Sequence, residues 1–480
     1  MNELLLLSGV KLAELIKQGK VSSQEVVEVH IEQIKKVNPI INAVVKDRFD
    51  EAIQEAKKAD ELVQSEPKEK LPPFLGVPCT IKEMFAFKGM PNTSGLYSRR
   101  GIIAEEDAPT VARLKQAGAI PLGVTNIPEL CMWFETYNKV YGRTNNPYDP
   151  KRIVGGSSGG EGAIIGAGGS PFGLGSDLGG SIRMPAFFNG VFGHKPSSCL
   201  IPNTGQFPIA ENEALKYLTA GPLARRAEDL MPLLNVLKGP DGKDPYCREM
   251  ELGDPSKVEI KELKVIVVPD IGVRKVSKDL KEAQLKAVQH LKEKGARVLE
   301  TKIEKFKYAF SIWSSMLSLA SETSFSTLLG GGKKINPWIE FLKWIFRASD
   351  HTFPGIIFAM AEVFPKITPG LTKRLYEMGK ELKKEITELI GENGVLLFPP
   401  HPRPAFPHYR SLLRPFDFIY TGIFNVLELP VTEVPMGLNA QGLPLGVQVA
   451  GIHGNDHITI AVALELERAF GGWIPPKLAQ

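Results

Sequence analysis

The chain has 480 residues, of which 43% are hydrophobic and 23% charged, and its formal net charge is +4. This composition is typical of a globular protein, and the chain is long enough to form a large core. The small net charge, with no basic tract interleaved with aromatic residues, does not indicate a nucleic-acid partner. No run reaches the roughly 18 apolar residues of a membrane-spanning helix, so we expect the chain not to cross a membrane.

The cysteines and histidines are scattered. Cys79, Cys131, Cys199 and Cys247 lie far apart and form no C-x-x-C pair. A disulfide framework is therefore not expected, and an intracellular, reducing compartment fits this usage. Because no histidine cluster has the spacing of metal ligands, we expect neither a metal nor another cofactor.

The N-terminal part predicts helices and one short strand. Ser8 is placed to cap a short helix that stops at Gly19. Ser22 and Glu25 form a capping box at the start of a second helix. A strand is expected over 42–46, a helix over 49–63 and a surface loop over 65–73.

The next segments alternate between strand and helix. An apolar strand over 74–81 leads into Lys82, and Asp107 is placed to cap a helix over 110–116 that Gly118 ends. A strand over 119–124 follows. This alternation favours an α/β sheet with parallel segments. Later strands are expected over 263–268, from 298 onward, and over 395–398, 431–435 and 445–450, with helices over 278–294, 371–390 and 455–470.

The segment from Trp338 to Phe364 differs from the rest of the chain. Its apolar residues recur at helical spacing in two sets, and each set predicts a short amphipathic helix with a broad apolar face. Such helices usually belong to a protein core. The first set is Trp338, Phe341, Leu342 and Ile345, widened by Trp344 and Phe346, and the second is Phe353, Ile356, Ile357, Met360 and Phe364.

The stretch 155–181 is rich in glycine and serine. Because glycine weakens regular elements, this concentration indicates that the backbone must approach something closely. We interpret it as the site of a serine nucleophile and its oxyanion hole. The base that activates the serine is either His194, which no carboxylate in the sequence obviously orients, or Lys82, kept neutral by burial. A surface lysine at the end of a strand is the ordinary alternative for Lys82.

Two other interpretations of this stretch are weaker. Residues 156–160 also satisfy G-x-S-x-G, the nucleophile elbow of α/β-hydrolases, but the polar segment before them does not resemble a strand. A P-loop is excluded because no Gly-Lys-Ser/Thr follows. Arg183 is expected either to pair with Asp177 or to contact substrate.

Several motifs together resemble the amidase signature family of serine hydrolases. They are GVPCTIKE at 76–83, GGSSGGE at 155–161, GSDLGGSIR at 175–183, PVTEVP at 430–435 and GLPLGVQ at 442–448. The resemblance covers nearly the whole chain. It implies an α/β fold in one large domain, with a mixed, mostly parallel twisted sheet flanked by helices. The implied segments are N-terminal helices (8–64), a catalytic core (74–240), an apolar helical insertion (about 305–390) and a return to the sheet (394–480).

Within that family the chain is similar to the fatty-acid amide hydrolases, in particular the type 2 membrane enzymes. The similar stretches are MPNTSG at 90–95, NNPYD at 145–149 and RMPAFFNG at 183–190. Those enzymes have an N-terminal transmembrane segment, which this sequence is expected to lack. The resemblance implies hydrolysis of fatty-acid amides through an acyl-enzyme. A broad-specificity amidase, a glutamine-amidotransferase-type subunit and a non-catalytic lipid-binding relative are the alternatives.

The resemblance also implies residue roles. Ser181 matches the nucleophile, Lys82 the general base, and Ser157 the serine that bridges them and follows a cis peptide bond. The backbone N–H groups of Leu178, Gly179, Gly180 and Ser181 match the oxyanion hole, and Ser158 and Cys131 match supporting residues. Trp338, Phe341, Trp344, Phe353 and Ile357 are assigned to an acyl channel or a membrane cap.

The implied partners are a fatty-acid amide substrate, a membrane or lipid-droplet surface bound peripherally, and a second copy of the chain in a homodimer. A peripheral helix of this kind usually carries basic residues beside its apolar face, and here only Lys343 and Arg347 supply them.

Overall fold

The computed structural model describes residues 1–362 and 367–480 and shows an α/β fold built on an eleven-stranded sheet. The strands of that sheet run in the order β1-β3-β2-β6-β8-β7-β12-β13-β11-β9-β10, and β4 and β5 form a separate pair. The strands are β1 (Val44–Asp47), β2 (Pro78–Lys82), β3 (Ile120–Thr125), β4 (Tyr137–Asn138), β5 (Gly142–Arg143), β6 (Phe172–Asp177), β7 (Phe192–Lys195), β8 (Thr219–Ala224), β9 (Lys264–Val267), β10 (Arg297–Glu300), β11 (Gly394–Phe398), β12 (Val431–Leu438) and β13 (Pro444–Ala450).

The sheet is mixed, as expected. Parallel neighbours form two blocks, β3-β2-β6 and β11-β9-β10. The other neighbouring strands pair antiparallel, and they make up more of the sheet than the sequence suggested. One physical reason is the short turn between β12 and β13, which forces these consecutive strands to run in opposite directions.

Helices flank the sheet and form much of the surface. They are α1 (Gly9–Lys17), α2 (Ser23–Ile41), α3 (Phe49–Ser65), α4 (Pro109–Gln116), α5 (Gly159–Gly166), α6 (Arg183–Phe188), α7 (Leu230–Leu237), α8 (Lys278–Glu293), α9 (Ala309–Ala320), α10 (Phe325–Leu329), α11 (Pro337–Ile345), α12 (Phe353–Ala361), α13 (Pro369–Ile390), α14 (Ile419–Val426) and α15 (Asp456–Phe470). The predicted caps of α1 and α2 are confirmed, because Ser8 Oγ accepts from Lys11 N and Ser22 Oγ from Glu25 N.

Two predicted boundaries differ from the structure. The strand before Lys82 begins at Pro78 rather than at Phe74, because residues 74–77 form turns that bond to the end of α4 and the start of β3. Asp107 does not cap α4. Its carboxylate instead accepts from Lys88 N and pairs with Lys115 Nζ, 2.7 Å away, so α4 begins after Ala108 without a side-chain cap.

The glycine-rich stretch contains an unpredicted helix, α5, and an unpredicted strand, β6. Their glycines are required by close packing. A Cβ on Gly160 would overlap backbone atoms of Asn126, and a Cβ on Gly173 would overlap the Glu161 carboxylate. These glycines lower the intrinsic helix propensity of the segment. They also allow α5 and β6 to pack closely against their neighbours in the core.

The two apolar helices of the insertion are confirmed as α11 and α12, and they pack against each other. Phe364, which the pattern also included, lies outside the described residues. The face of α11 is open to solvent rather than buried in the core, with Trp338 67% exposed and Leu342 57% exposed. None of the helices described in 1–362 and 367–480 combines the length and apolarity needed to cross a bilayer.

Candidate active site

Lys82 and Ser157 form a buried hydrogen-bonded pair. Strand β2 ends at Lys82, whose side chain is fully buried, and its Nζ donates to Ser157 Oγ over 2.7 Å. Lys82 Nζ also lies 3.3 Å from the carbonyl oxygen of Ser176 at the end of β6. The alternative of a surface lysine is therefore wrong. The neighbouring strands β2 and β6 place a primary amine next to a serine hydroxyl inside the core.

Burial lowers the pKa of Lys82, although charges on Cys131, Asp177 and Glu161 would act in the opposite direction. Glu161 is itself buried, with its oxygens 2.6 Å from Thr80 Oγ1 and 2.7 Å from Thr125 Oγ1. Burial raises the pKa of Glu161 to about 8. A protonated Glu161 does not stabilise an ammonium group, so both effects favour the neutral amine of Lys82.

Ser157, Ser158 and Ser181 are brought to one place. The peptide bond between Gly156 and Ser157 is cis, as the resemblance implies. Ser158 N donates to the carbonyl oxygen of Ser181 over 3.1 Å, and Ser158 Oγ lies 3.3 Å from the carbonyl oxygen of Ser176. Ser158 therefore holds the start of α5 against the loop that carries Ser181. Among residues 1–362 and 367–480, the Ser181 hydroxyl makes no hydrogen bond.

The loop 177–181 is fixed by a buried ion pair. Arg183 Nη2 lies 3.0 Å from Asp177 Oδ1, and both side chains are fully buried. Burial alone would raise the pKa of Asp177, but the Arg183 charge and the hydrogen bonds from Arg183, Ile182 N and Asn425 together outweigh burial and hold that pKa well below its ordinary value. Arg183 also donates to Gln448 Oε1 and to Asn425 Oδ1. Since every donor of this guanidinium group is taken within the protein, Arg183 has a structural role rather than a contact with substrate.

The backbone N–H groups of the same loop divide into two sets. Gly180 N donates to Asp177 Oδ1 over 2.7 Å, so this N–H is engaged within the loop. By contrast, no acceptor among residues 1–362 and 367–480 takes the N–H of Leu178, Gly179 or Ser181. These three groups remain able to bind an oxyanion, whereas the structure offers no free hydrogen at Gly180.

An apolar pocket opens beside Ser181. Its volume is about 410 Å³ including the mouth that opens to solvent. Cys131 lies in its wall, and Leu130 and Cys131 both adopt positive φ angles, 53° and 58°, which turn the chain sharply there. None of the lining residues that the structure describes carries a charge: they are Cys131, Met132, Trp133, Phe134, Gly156, Leu178, Gly179, Ser181, Met184, Trp313, Phe358 and Phe418.

The residues assigned to a channel or cap lie elsewhere. None of Trp338, Phe341, Trp344, Phe353 and Ile357 is part of the described pocket wall. Trp344 packs on Phe353 with ring centroids 4.7 Å apart, and Trp338, Trp344 and Ile357 are exposed. Helix α12 contributes only Phe358 to the pocket. These five residues therefore form an outer surface of α11 and α12 rather than the wall next to Ser181.

His194, the alternative base, is hydrogen-bonded to Asp456 and Thr432. A carboxylate does orient it, contrary to the sequence interpretation: His194 Nε2 lies 3.1 Å from Asp456 Oδ1, a residue 262 positions later. His194 Nδ1 lies 2.9 Å from Thr432 Oγ1. With both ring nitrogens engaged in this buried cluster, His194 is not the base for Ser181. The G-x-S-x-G interpretation also fails, because no described strand directly precedes residues 156–160.

Sequence reasoning missed three side chains that contact the nucleophile loop. Asn425 Nδ2 donates to the carbonyl oxygen of Asp177, Trp313 Nε1 to that of Leu178, and Thr421 Oγ1 to that of Gly179. Helices α9 and α14, which supply them, were not predicted. The sequence did contain a signal for these contacts. Trp313, Asn425 and Thr421 are polar-tipped residues in otherwise apolar segments, and a buried polar group needs a hydrogen-bond partner.

Comparison with known proteins identifies the family. The sequence profile of the amidase family matches residues 25–460. Fatty-acid amide hydrolase 2 from Homo sapiens is 48% identical over 489 residues, covering 98% of this chain and 91% of that protein. Fatty-acid amide hydrolase 2-A from Danio rerio is 47% identical over 492 residues, covering 99% of this chain and 91% of that protein.

The fold comparison agrees. The crystal structure of a bacterial aryl acylamidase of the amidase signature enzymes has a TM-score of 0.82 at 25% identity, covering 98% of this chain and 97% of that one. The chain belongs to the amidase signature family. It is an amide-hydrolysing enzyme, and fatty-acid amide hydrolase 2 proteins are among its relatives.

Proposed function

We propose that this enzyme is a serine hydrolase that cleaves fatty-acid amides, both N-acylethanolamines and primary amides, into a free fatty acid and an amine. The observation that carries this proposal is the uncharged, aromatic pocket that opens beside Ser181. Transfer of an alkyl chain from water to such a surface is favourable by about 25 cal/mol per Å² of apolar area buried. The likeness to fatty-acid amide hydrolase 2 supports the same substrate class.

The proposed reaction begins with proton transfer. Neutral Lys82 accepts a proton from Ser157, which accepts one from Ser181, and the Ser181 oxygen attacks the amide carbonyl carbon. The 2.7 Å hydrogen bond between Lys82 and Ser157 supports the first transfer. The proton then returns through Ser157 to the leaving nitrogen as the C–N bond breaks, because amines leave poorly unless protonated. Water hydrolyses the acyl-enzyme and regenerates Ser181.

The oxyanion formed in this reaction needs hydrogen-bond donors. We assign that role to the N–H groups of Leu178, Gly179 and Ser181, which lack acceptors within the described residues. Removing one such donor costs about 3 kcal/mol in hydrolases where this has been tested. Gly180, whose N–H binds Asp177, contributes by holding the loop. Cys131 and Ser158 support the site through the pocket wall and the start of α5.

The alternatives differ in what the pocket would need. A subunit that releases ammonia from glutamine would need polar partners for the ammonium and carboxylate of that substrate, and no charged side chain among the described residues lines this pocket. A broad-specificity amidase would hydrolyse short and long amides equally. A lipid-binding protein without catalysis would not react with an electrophile at Ser181.

A fluorophosphonate probe tests the nucleophile, and a substrate panel tests the specificity. We expect the probe to label Ser181 and the Ser181→Ala variant to remain unlabelled. Ser170→Ala is the matched control, because Ser170 lies in the same glycine-rich stretch and its buried hydroxyl donates to the carbonyl oxygen of Phe172. Oleamide and N-oleoylethanolamine should be hydrolysed faster than butyramide and glutamine. Absence of labelling at Ser181 would refute the proposal.

We further infer that the exposed apolar face of α11 and α12 binds a membrane or lipid surface peripherally and admits substrate from it. The 67% exposure of Trp338 and the 79% exposure of Phe346 support this inference, because large apolar side chains seldom cluster in water without a partner. In this proposal the segment 305–390 is a cap, 74–240 and 394–480 form the catalytic core and the return to the sheet, and 8–64 supplies the N-terminal helices. A homodimer, which the resemblance implies, is tested by light scattering.

A further inference from the structure

Three carbonyl groups of the nucleophile loop accept side-chain hydrogen bonds. Asn425 Nδ2 lies 3.0 Å from the Asp177 oxygen, Trp313 Nε1 3.2 Å from the Leu178 oxygen and Thr421 Oγ1 2.9 Å from the Gly179 oxygen. In a trans peptide unit the C=O and the following N–H point in opposite directions. Each of these bonds therefore fixes the direction of the next N–H, and the bond from Trp313 fixes that of Gly179.

Trp313 differs from the other two donors because it also lines the pocket. Its indole is 7% exposed and packs edge-on against Phe418, with ring centroids 5.0 Å apart. The ring also lies beside the backbone of Gly179, since a Cβ added there would be 3.5 Å from Trp313 Cζ2. The same side chain thus contacts the space available to an acyl chain and the peptide between Leu178 and Gly179.

We propose that Trp313 is a positioning residue that couples occupation of the acyl pocket to the geometry of the oxyanion hole. A long acyl chain packs against the indole and holds its N–H on the Leu178 carbonyl, which keeps the Gly179 N–H in the direction that the oxyanion requires. A short acyl chain makes less contact with the indole and leaves this peptide less restrained. Binding energy from a remote part of the substrate then raises kcat rather than only lowering KM.

This inference rests on the proposed function and predicts how kcat depends on chain length. Wild-type enzyme should hydrolyse oleamide with a higher kcat than butyramide. Trp313→Phe keeps an aromatic ring and removes the N–H donor. It should lower kcat for oleamide about tenfold, less than the loss of a whole oxyanion donor, and change KM little. It should lower kcat for butyramide by a clearly smaller factor than kcat for oleamide, and it should weaken binding of a long-chain trifluoromethyl ketone by the same factor as kcat/KM for oleamide.

Trp473→Phe is the matched control. Trp473 is also a buried indole, and its Nε1 donates to the carbonyl oxygen of Gly166 over 3.0 Å, outside the pocket. The Trp473→Phe variant measures how far the loss of one buried indole hydrogen bond lowers the melting temperature when the pocket is not affected. Thr421→Val removes the donor to Gly179 without touching the described pocket wall, so it should lower kcat for oleamide and butyramide by similar factors.

If Trp313→Phe does not fold, replacement of Trp313 by β-(3-benzothienyl)alanine keeps the ring shape and removes only the N–H. The inference is overturned if either variant retains wild-type kcat for oleamide, or if both substrates lose activity equally. If the wild-type protein hydrolyses oleamide and Trp313→Phe has the same kcat, this inference alone is refuted. Wild-type protein that neither labels at Ser181 nor hydrolyses oleamide refutes the proposed function with it.

Discussion

Lys82 Nζ lies 2.7 Å from Ser157 Oγ, and no carboxylate among the described residues lies within ion-pair distance of the amine. A buried ammonium group without a counter-ion is costly, and proteins usually avoid that cost by releasing the proton. Burial therefore lowers the pKa of Lys82 and favours its neutral amine over the ammonium form. This is the state that a general base needs.

Replacing Lys82 by methionine should remove this base and keep its bulk. We expect kcat for oleamide to fall at least about 100-fold, as is typical for loss of a general base. Burial lowers the pKa of Lys82, so wild-type activity should rise as the pH increases through that lowered pKa, and Lys82→Met should lose this rise. The measurement is kcat/KM between pH 5 and pH 10.

Lys195→Met is the control for that experiment, because Lys195 is also buried but donates to the carbonyl oxygen of Pro196. It should keep the rising limb of the pH profile. An unchanged rate and profile in Lys82→Met would exclude the proton relay.

The chemistry of this site could be predicted from sequence because its residues lie in short motifs. Lys82, Ser157 and Ser181 each stand in a local pattern whose residue types already limit the mechanism. Most strands and helices were predicted for a similar reason, since their apolar spacing or caps are local. Strand β2 and helix α2 are examples, differing from prediction by a few residues.

The supports of the site could not be predicted because their partners are distant in sequence. Trp313 is 135 positions from Leu178, and Thr421 is 242 positions from Gly179. Helix α5 was missed because its glycines oppose helix formation, while packing against Asn126 and Pro185 requires them. In both cases tertiary contacts decide the local structure, and a single sequence does not record them.

The two glycines before Ser181 should differ in their tolerance of a methyl group. Gly180 has a φ of 111°, and an added Cβ would overlap the Thr421 hydroxyl. Gly180→Ala should therefore displace the loop and slow fluorophosphonate labelling about 100-fold. At Gly179 an added Cβ would lie 3.5 Å from Phe418 and Trp313, an ordinary contact, so Gly179→Ala should slow labelling less than about tenfold.

Labelling rates measured by intact-protein mass spectrometry compare these two variants directly. Each melting temperature is recorded alongside, so that a loss of folded protein is not mistaken for a slower reaction. Equal rates for Gly179→Ala and Gly180→Ala would contradict the assigned geometry of the loop.

Stability should depend on pH through Lys195. Burial, with a smaller effect from Arg183, lowers the pKa of Lys195 to about 7, while Asp177, Asp456 and Glu428 act in the opposite direction. Between about pH 7 and pH 10.4 the unfolded chain binds this proton and the folded chain does not. The free energy of unfolding should therefore rise with pH over this window, by up to about 1.4 kcal/mol per pH unit from this group.

Urea unfolding of wild type and Lys195→Met at pH 7.5, 8.5 and 9.5 isolates this contribution. The free energy of unfolding of the wild type, relative to that of Lys195→Met, should rise with pH. This difference should become constant below about pH 6, where Lys195 is protonated in both the folded and the unfolded wild type. Parallel stability curves for the two proteins would show that Lys195 is not titrating in this range.

Membrane partitioning should depend on the exposed face of α11 and not on apolar exposure in general. Leu342 on α11 is 57% exposed and Leu285 on α8 is 60% exposed, so the two leucines form a matched pair. Leu342→Ser should weaken binding to vesicles of phosphatidylcholine and phosphatidylserine about tenfold, corresponding to about 1.4 kcal/mol, because it removes apolar surface that enters the interface. Leu285→Ser should not change binding.

Co-sedimentation with the vesicles measures this, and the double variant Trp338→Ser/Trp344→Ser should reduce binding further because it removes two large aromatic side chains from the same face. Hydrolysis of a water-soluble short amide should be retained in all three variants, since none of these residues lines the pocket beside Ser181. If Leu342→Ser and Leu285→Ser bind vesicles equally well, α11 is not the surface that meets the membrane.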